Sequence, residues 1–430
     1  MKSFQLKFGD TYQNVAIDEN SYQIDVVSPP LTEPSQITPE EIIKEQFRHP
    51  INSIDFPSAE NNPNLKIAIA INDKTRPVPH EILLPSLINF LNEKGVCSNQ
   101  IKFYIATGTH EPMPQAEFSK VVPARIADQF EIVSHDCDKQ DNLTFLGHTS
   151  RQTPVWVNSE YYAAQVKIVV GCIEPHHFMG FSGGNKSASI GLTGRETINT
   201  NHAMITSPYA VIGCYEQNPM RQDIEEIGDM IGVTYALNVI LNTNREIVHA
   251  LFGSPREVML EGVKRCRLIN QTEVSIEYDL VIASAGGYPK DINFYQSQKA
   301  MTHAAQIVKT GGTVILCAEC REGSGSAAFE ELMDGTSDYQ DGMAKFLAKP
   351  FKIGPHKAYQ IATLLKKMDF YMITSLSPAL AGRLHLTCSE NIQPVFNQIS
   401  SHLAPGAKIA ILPNAINTIP TVQPAKIDPG

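Results

Sequence analysis

Short apolar runs alternate with amphipathic segments along most of this chain, and that alternation constrains the fold more than any other feature. From residue 65 onward the apolar runs include "LKIAIAI" (65–71), "IKFYIA" (101–106) and "VKIVVG" (166–171), and helical segments such as "LLPSLINFLNEKG" (83–95) lie between them. Strands that alternate with helices form βα units and a mostly parallel sheet. The sequence therefore predicts a doubly wound α/β fold.

A second series of the same kind follows a helical and mixed stretch at residues 195–270. It begins with "YDLVIASAGG" (278–287) and ends with "AKIAIL" (407–412). Ligands of open α/β sheets bind beyond the carboxyl ends of the strands. We therefore predict two α/β domains, 1–270 and 271–430, with the site in the crevice between them.

The amino-terminal segment 1–60 differs from the rest because it contains two short strands and a helix start. Thr38, Pro39 and Glu41 occupy the N-cap, N1 and N3 positions of a capping box. Gly95 is a suitable residue to follow the end of the 83–95 helix.

Composition excludes some classes of partner. The net charge is −10 and the 35 Lys and Arg residues are spread along the chain, so no footprint for nucleic acid is visible. No run of about 18 apolar residues occurs, which argues against a membrane span. Eight cysteines are mostly isolated in apolar segments, and "CAEC" (317–320) has no second pair to complete a zinc site, so we read it as packing. We expect a cytoplasmic protein.

Four apolar strands end in polar or Gly-rich turns: "IAIAINDKTRP" (69–77), "FYIATGTHEP" (103–112), "IVVGCIEPHH" (168–177) and "VIASAGGYPKD" (281–291). A site should form there, because such turns share one edge of a sheet. Neutral imidazoles suit both metal binding and proton transfer near neutral pH. The turns deliver Asp73, Thr75, Arg76, His110, His176, His177 and Lys290.

The stretch "GFSGGNKS" (180–187) has the spacing of a Walker phosphate loop except that Asn185 replaces the second glycine. Asn tolerates a left-handed backbone, so this difference alone does not exclude the motif. No strand ends in an aspartate placed for magnesium, which argues against triphosphate hydrolysis. The amides of Ser182 to Gly184 remain candidates to cradle a phosphate.

The helix that contains "FYQSQKAM" is another candidate binding element. Gln296 and Lys299 share one face, and Tyr295 and Lys299 also share one. The alternative is that Lys299 is a solvated lysine on the helix surface and has no part in a site. The position of the helix, just past the "GGYPKD" turn, favours a site.

Five segments resemble the nickel-pincer lactate racemase family. They occur in the family's order, and Lys186 follows His176 by ten residues and precedes His202 by sixteen. His177 stands beside His176, but the spacing to Lys186 favours His176. The segments are "NDKTRPVP" (72–79), "ATGTHEP" (106–112), "EPHHFMGFSGGNKS" (174–187), "GLTGRETINTNH" (191–202) and "GGYPKDINFYQSQKA" (286–300).

The resemblance implies a nickel-pincer nucleotide, the nickel complex of pyridinium-3,5-bisthiocarboxylic acid mononucleotide. Lys186 would hold it through a thioamide and His202 would be the fourth nickel ligand. The cofactor would also contact Asp73, Thr75, Ser182, Gly183 and Gly184. Enzymes of cofactor biosynthesis become implied partners.

The resemblance further implies racemisation or epimerisation of a 2-hydroxy acid by reversible hydride transfer. His110 and His176 would act as acid and base on the hydroxyl group. The substrate would be held by Arg76, Tyr295, Gln296 and Lys299. The resemblance leaves open which 2-hydroxy acid is the substrate. The chain has one tryptophan, Trp156, so any aromatic wall of the substrate pocket in the second domain must come from Tyr or Phe, such as Tyr359.

Two other functions remain possible from the sequence. One is a metal-dependent hydrolase in which His110, His176 and His202 hold zinc or nickel with an open water position. The other is a non-catalytic module that binds a nucleotide or nickel, which gives no role to His110 or Lys299.

Overall fold

The computed structural model describes residues 1–30, 37–52, 55–57, 62–76, 78–242, 244–352 and 354–422. Its contacts divide the chain into two compact units. Thr32–Ile269 forms one, which we call the central unit. Met1–Leu31 and Asn270–Gly430 form the other, which we call the terminal unit because it contains both chain ends.

The described strands, in chain order, are β1 Lys2–Phe8, β2 Thr11–Ile17, β3 Gln23–Val26, β4 Ile67–Asn72, β5 Ile101–Ala106, β6 Glu131–Ser134, β7 Leu143–His148, β8 Pro154–Asn158, β9 Val166–Cys172, β10 Pro175–His176, β11 Gly180–Phe181, β12 Tyr235–Leu241, β13 Ile247–Gly253, β14 Gln271–Val274, β15 Tyr278–Ser284, β16 Val308–Cys317, β17 Met368–Ile373, β18 Cys388–Ser389, β19 Lys408–Leu412 and β20 Ile419–Val422.

The described α-helices are α1 Pro39–Arg48, α2 His80–Glu93, α3 Ala124–Ala127, α4 Ser159–Ala163, α5 Lys186–Ser189, α6 Arg195–Ala203, α7 Pro219–Ile231, α8 Pro255–Asn270, α9 Phe294–Ala304, α10 Ala327–Met333, α11 Tyr339–Leu347, α12 His356–Leu365, α13 Pro378–Arg383 and α14 Ile392–Ser400. The predicted capping box begins α1, since Glu41 N donates to Thr38 Oγ1 and Thr38 N donates to Glu41 Oε2. Gly95 follows α2 with a left-handed φ of 79°, as predicted. None of the helices in the described ranges has the length and apolarity that crossing a membrane requires.

The main sheet of the central unit has the strand order β13-β12-β9-β4-β5-β6, and all neighbours are parallel except β13 against β12. The chain runs outward from β4 to β6, then returns to the other side of β4 to continue with β9. This reversal is a topological switch point, where ligands of doubly wound sheets bind. The predicted α/β class is confirmed, although β12 and β13 lie in a stretch that we had read only as helical and mixed.

The main sheet of the terminal unit has the order β18-β17-β16-β15-β19-β3, with all neighbours parallel. Its central strands are continuously apolar because both faces of a parallel sheet are covered. The strand order also reverses here, between β15 and β19. The loop after β15 leads into α9.

Met1–Leu31 belongs to the terminal unit, whereas we predicted this segment in the domain 1–270. The cause is pairing between segments that are far apart in the sequence, since β3 pairs in parallel with β19 at the edge of the terminal unit's sheet. Alternate apolar residues of β1 and β2, such as Leu6 and Ile17, are buried against Leu280 and Ile409 in one cluster. The prediction from local sequence pattern could not anticipate a partner strand near the opposite end of the chain.

We expect Leu6→Ala to destabilise the terminal unit by about 2–5 kcal/mol, because it removes a buried side chain and leaves a cavity. Hydrogen exchange should accelerate in β15 and β16 but not in β9. Tyr12→Ala is the matched control because Tyr12 is 53% exposed. Equal acceleration in β9, or no effect of Leu6→Ala, would contradict the assignment of β1 to the terminal unit.

Candidate active site

Three neighbouring strands of the central unit deliver predicted site residues at one edge of the sheet. The order β9-β4-β5 places the carboxyl ends of these parallel strands side by side. Asp73 follows β4, His110 follows β5, and His176 follows β9. The switch point between β4 and β9 therefore lies where the predicted residues gather.

Asp73 and His110 form a direct pair. Asp73 Oδ2 lies 2.6 Å from His110 Nδ1, and Thr75 Oγ1 donates to Asp73 Oδ1 over 2.7 Å. The carboxylate is buried, while the His110 side chain is 51% exposed. Burial alone would raise the pKa of Asp73, but the hydrogen bonds from His110 and Thr75 outweigh it and lower that pKa. In a neutral His110 ring, the ionised carboxylate thus favours the tautomer with the proton on Nδ1 and the lone pair on Nε2.

Lys186 begins the short helix α5 and is the predicted anchor. Its ammonium group forms no hydrogen bond or ion pair with the residues that the structure describes. Removal from water, followed by the positive charges of Arg76 and Arg221, lowers the pKa of Lys186 to about 7. Glu174 and Asp73 oppose this shift. Near neutral pH, a substantial fraction of the amine is therefore uncharged and nucleophilic.

Arg76 lies in the turn that follows β4. Its backbone N–H donates to the carbonyl oxygen of Asp73 over 3.1 Å, which closes the turn. The residue is half-buried. Its influence on the pKa of Lys186 places the guanidinium within electrostatic reach of the amine.

The glycine-rich loop before Lys186 uses its amides internally. Ser182 N donates to Glu174 O over 2.9 Å, and Gly184 N donates to Asn238 Oδ1 over 2.6 Å. Those two amides are committed, so the loop differs from the phosphate cradle that we considered. Gly183 and Gly184 have φ values of 89° and 56°, and a Cβ on Gly184 would stand 2.3 Å from Met259 Cγ.

Asn185 has a structural role that the sequence did not reveal. Its φ of −53° is right-handed, so the residue does not replace glycine in a left-handed turn. The side chain is buried and donates to Glu225 Oε2 over 2.9 Å. Asn185 therefore ties the loop to helix α7.

His202 lies on α6 and is buried. Its Nδ1 is 2.8 Å from the carbonyl oxygen of Ile198, so a neutral ring donates there and carries its lone pair on Nε2. Burial first, and then the charge of Lys186, lowers the pKa of His202 to about 3. The ring therefore stays neutral, as a metal ligand must.

His176 and His177 stack, with ring centroids 4.8 Å apart. Met179 N donates to His176 Nδ1 over 3.3 Å, so neutral His176 carries its proton on Nε2. Phe178 contacts the rings of both His176 and His202, at 4.6 and 5.7 Å between centroids. Phe178 thus links the predicted acid–base residue to the predicted nickel ligand.

A buried ion pair beneath the glycine-rich loop was missed by the sequence analysis. Arg221 and Glu225 of α7 are 0% and 1% exposed and lie 2.5 Å apart. Arg221 also donates to the carbonyl oxygens of Phe181 and Gly183, and Tyr215 donates to Glu225. The i, i+4 spacing of Arg221 and Glu225 is visible in the sequence, but oppositely charged residues at this spacing usually lie on a solvated helix surface.

The neighbouring acid Asp223 is also buried and holds α6 in place. It accepts from Asn201 Nδ2 over 2.9 Å, and from Thr149 and Thr153. Asn201 directly precedes His202, so one face of α7 fixes the histidine and another fixes the loop of Lys186.

Three predicted substrate residues lie on α9 of the terminal unit. Lys299 Nζ donates to Gln296 Oε1 over 2.7 Å, so these side chains do share a face. Tyr295 packs against Lys357, whose Nζ is 4.6 Å from the ring centroid. Cys317 and Cys320 of the "CAEC" stretch are both buried free thiols.

We expect Glu225→Gln to destabilise the central unit by about 3–5 kcal/mol, because it leaves the Arg221 charge buried without its partner. Urea unfolding measures the loss, and Glu196→Gln, at an exposed position of α6, is the control. A Glu225→Gln protein within about 0.5 kcal/mol of this control would contradict a supporting role for the pair.

We expect Lys186 in cofactor-free protein to react with a trace acylating reagent half-maximally near pH 7, since reactivity follows the neutral amine. Peptide mass spectrometry over about pH 6–10 gives the profile, and exposed Lys366 supplies the reference. An ordinary lysine titrates near pH 10.4. A Lys186 profile that coincides with this behaviour would show that its pKa is not lowered.

Matches to known families and proteins identify the family to which the chain belongs. Residues 8–213 match the family model described as the lactate racemase N-terminal domain, and residues 274–420 match that of the C-terminal domain. A lactate racemase from Thermoanaerobacterium thermosaccharolyticum is 30% identical over 88% of this chain and 90% of its own length. One from Lactiplantibacillus plantarum is 26% identical over 97% of this chain and 100% of its own.

Solved structures agree with the sequence matches. The lactate racemase apoprotein from T. thermosaccharolyticum superposes with a TM-score of 0.89 at 27% identity and covers 97% of this chain and 100% of its own. A Thermotoga maritima protein has a TM-score of 0.62 at 16% identity over 93% of this chain and 100% of its own, which shows the fold alone. The predicted resemblance is confirmed: this chain belongs to the lactate racemase family.

Proposed function

We propose that the chain is a racemase or epimerase of 2-hydroxy acids that uses a nickel-pincer nucleotide attached to Lys186. Membership of the lactate racemase family supports an isomerase of the racemase type. The observation that carries the cofactor assignment is the state of Lys186, whose amine has a pKa of about 7 and no hydrogen-bonding partner among the described residues.

The residues present fit this cofactor. A thioamide forms through the lone pair of an amine, so the anchoring lysine must be able to lose its proton near neutral pH. His202 fits a nickel ligand because its ring stays neutral and its Nδ1 is fixed by Ile198. The charge of Lys186 acts on His202, so anchor and ligand are within electrostatic reach.

When bound, the nickel-pincer nucleotide supplies the acceptor and donor for the hydride on Cα of the 2-hydroxy acid. The chain must then move the hydroxyl proton, which requires a base for one enantiomer and an acid for the product. His110 has its lone pair on Nε2 because Asp73 holds Nδ1. His176 has its proton on Nε2 because Met179 N–H occupies Nδ1. In their neutral forms, His110 therefore offers a lone pair at Nε2 that can accept the hydroxyl proton, whereas His176 would have to take up a second proton before it could act as the general acid.

Arg76 is the proposed carboxylate ligand of the central unit, since its planar guanidinium offers two parallel donors. Lys299, Gln296 and Tyr295 are proposed to bind the substrate as well, and their shared position on α9 supports this. Their contribution rests on the resemblance and on the contacts within the terminal unit.

The proposed nucleotide contacts need refinement. The carboxylate of Asp73 is engaged by His110 and Thr75, so we assign it to positioning His110 as well. Thr75 and Ser182 offer hydroxyl groups to the ribose and phosphate, and the Ser182 hydroxyl makes only 3.4 Å contacts with Glu174. Gly183 and Gly184 contribute the tight turn that leads into Lys186.

The two alternatives explain less. A three-histidine hydrolase requires His110, His176 and His202 to surround one metal ion, yet within the described ranges no three His, Cys, Asp or Glu side chains form such a group. A binding module without catalysis gives no reason for a buried carboxylate to orient His110.

The test uses protein produced together with the enzymes that make the cofactor. Intact mass, nickel content and peptide mapping should show a nucleotide-sized adduct on Lys186 with stoichiometric nickel, and chiral chromatography should show racemisation of a 2-hydroxy acid. Lys186→Ala should lose the adduct and the activity. His110→Ala and His176→Ala should keep the adduct and lose about 10²–10⁴-fold in rate.

His148→Ala is the control because His148 is an exposed histidine outside the site. Full activity of Lys186→Ala, or an active protein with unmodified Lys186, would overturn the attachment. Retention of activity by both His110→Ala and His176→Ala would overturn their acid–base roles.

A further inference from the structure

Two buried asparagines directly precede the two residues that are proposed to hold the cofactor. Asn185 precedes the proposed anchor, and Asn201 precedes the proposed nickel ligand. Each donates to a carboxylate of α7 over 2.9 Å: Asn185 Nδ2 to Glu225 Oε2, and Asn201 Nδ2 to Asp223 Oδ2. One helix therefore binds the residue next to the anchor and the residue next to the ligand.

The orientation of both amide groups is fixed by α7. An ionised carboxylate can only accept hydrogen bonds, so the nitrogen of each amide and not its oxygen must face the acid. Asn201 Nδ2 also donates to the carbonyl oxygen of Met220 over 3.0 Å. Neither amide oxygen has a hydrogen-bond partner in the part of the chain that the structure describes. The side-chain hydrogen bonds of Asn185 and Asn201 in these ranges therefore all go to α7.

The imidazole of His202 follows the position of α6. Its Nδ1 bonds to the carbonyl oxygen of Ile198, one turn earlier in the same helix, over 2.8 Å. Asn201 binds this turn of α6 to Asp223, which is fully buried. Asp223 also accepts from two threonine hydroxyl groups in the turn between β7 and β8, over 2.6 and 2.9 Å. The imidazole thus depends for its position on a carboxylate that is itself held from another side.

Helix α5, which begins with Lys186, is bonded to α7 at both of its ends. Asn185 makes the bond before its first residue, and Ser189 Oγ donates to the carbonyl oxygen of Ile224 over 2.8 Å at its last. Residue 228 of α7 is a glycine, and a Cβ there would lie 2.2 Å from Asn185 Cγ. Gly228 therefore leaves the space that Asn185 occupies, and α7 is the common support of α5 and α6.

We propose that Asn201 and Asn185 are positioning residues that, through α7, keep the nickel ligand and the anchor at the separation that metal binding requires. This inference rests on the proposed roles of His202 and Lys186. A metal bound both to a ligand on α6 and to a cofactor attached on α5 is held tightly only while the two helices keep one relative position. Loss of either bond to α7 should therefore weaken nickel binding, although the ligand and the attachment both remain.

The experiment measures nickel loss from cofactor-loaded protein. Each variant is produced together with the enzymes that make the cofactor, incubated with EDTA and sampled for nickel content and for the mass of the Lys186 peptide. Nickel is expressed per adduct, so a lower yield of attachment does not affect the result. We expect Asn201→Ala to lose nickel about 10- to 100-fold faster than the wild type while the adduct remains, because outer partners of a metal ligand contribute this factor to metal affinity. Gly228→Ala, which displaces Asn185, should also accelerate the loss.

Two matched variants separate positioning from general stability. Asn242→Ala is the control for Asn201→Ala, because Asn242 is also buried and donates to Glu246 Oε2 over 2.7 Å, in the turn between β12 and β13. Gly382→Ala is the control for Gly228→Ala, because a Cβ at position 382 would meet no atom within 4 Å. Both should keep nickel as the wild type does, whatever change in Tm thermal unfolding shows for them.

Asp223→Asn is a second variant that keeps the shape of the buried side chain, for the case that Asn201→Ala does not fold. It should also accelerate nickel loss, because a neutral amide oxygen holds the Asn201 amide less strongly than a carboxylate does.

The outcomes separate this inference from the function on which it rests. Nickel loss at the wild-type rate in Asn201→Ala and Asp223→Asn, or equal acceleration in Asn242→Ala, would overturn the role of Asn201. Nickel loss at the wild-type rate in Gly228→Ala would overturn that of Asn185. A wild-type protein that carries neither adduct nor nickel would instead overturn the proposed function.

Discussion

The buried ion pair of Arg221 and Glu225 is the interaction on which the site of the central unit depends. Two charges removed from water are tolerable only when hydrogen bonds satisfy the rest of both groups. Here those bonds go to the carbonyl oxygens of Phe181 and Gly183, to Asn185 and to Tyr215. The loop that presents Lys186 is therefore held from below by a rigid polar network, and its backbone has little freedom to move.

The same pair also affects the chemistry of Lys186, the proposed anchor. Arg221 carries a charge that cannot be lost at any accessible pH, and its proximity helps to keep Lys186 neutral near pH 7. Burial, and then the charge of Lys186 in the fraction of molecules in which it is protonated, lower the pKa of His202. Burial is thus the first cause of the low pKa values of Lys186 and His202, and the fixed charge of Arg221, which also holds the loop, adds to the shift of Lys186.

The sequence predicted the α/β class, the strands β4, β5, β9 and β15, and the family, because apolar runs and multi-residue motifs are local signals. It placed Asp73 and His110 at strand ends but not in contact, since their pairing depends on β4 and β5 being neighbours. Asn185 was read as a substitute for glycine because φ is invisible in a sequence. The sequence analysis did not single out Lys357, since its burial depends on contacts with α9, which lies well before it in the chain.

The discontinuity of the terminal unit has a consequence for biosynthesis. A ribosome releases β1, β2 and β3 first, yet β3 pairs with β19, which contains residues 408–412 and is among the last to be made. The central unit can fold while these early strands are still unpaired and their apolar face is still exposed. Unpaired strand edges promote association with other chains. Yield in the cell should therefore depend on chaperones that shield the nascent amino terminus until translation ends.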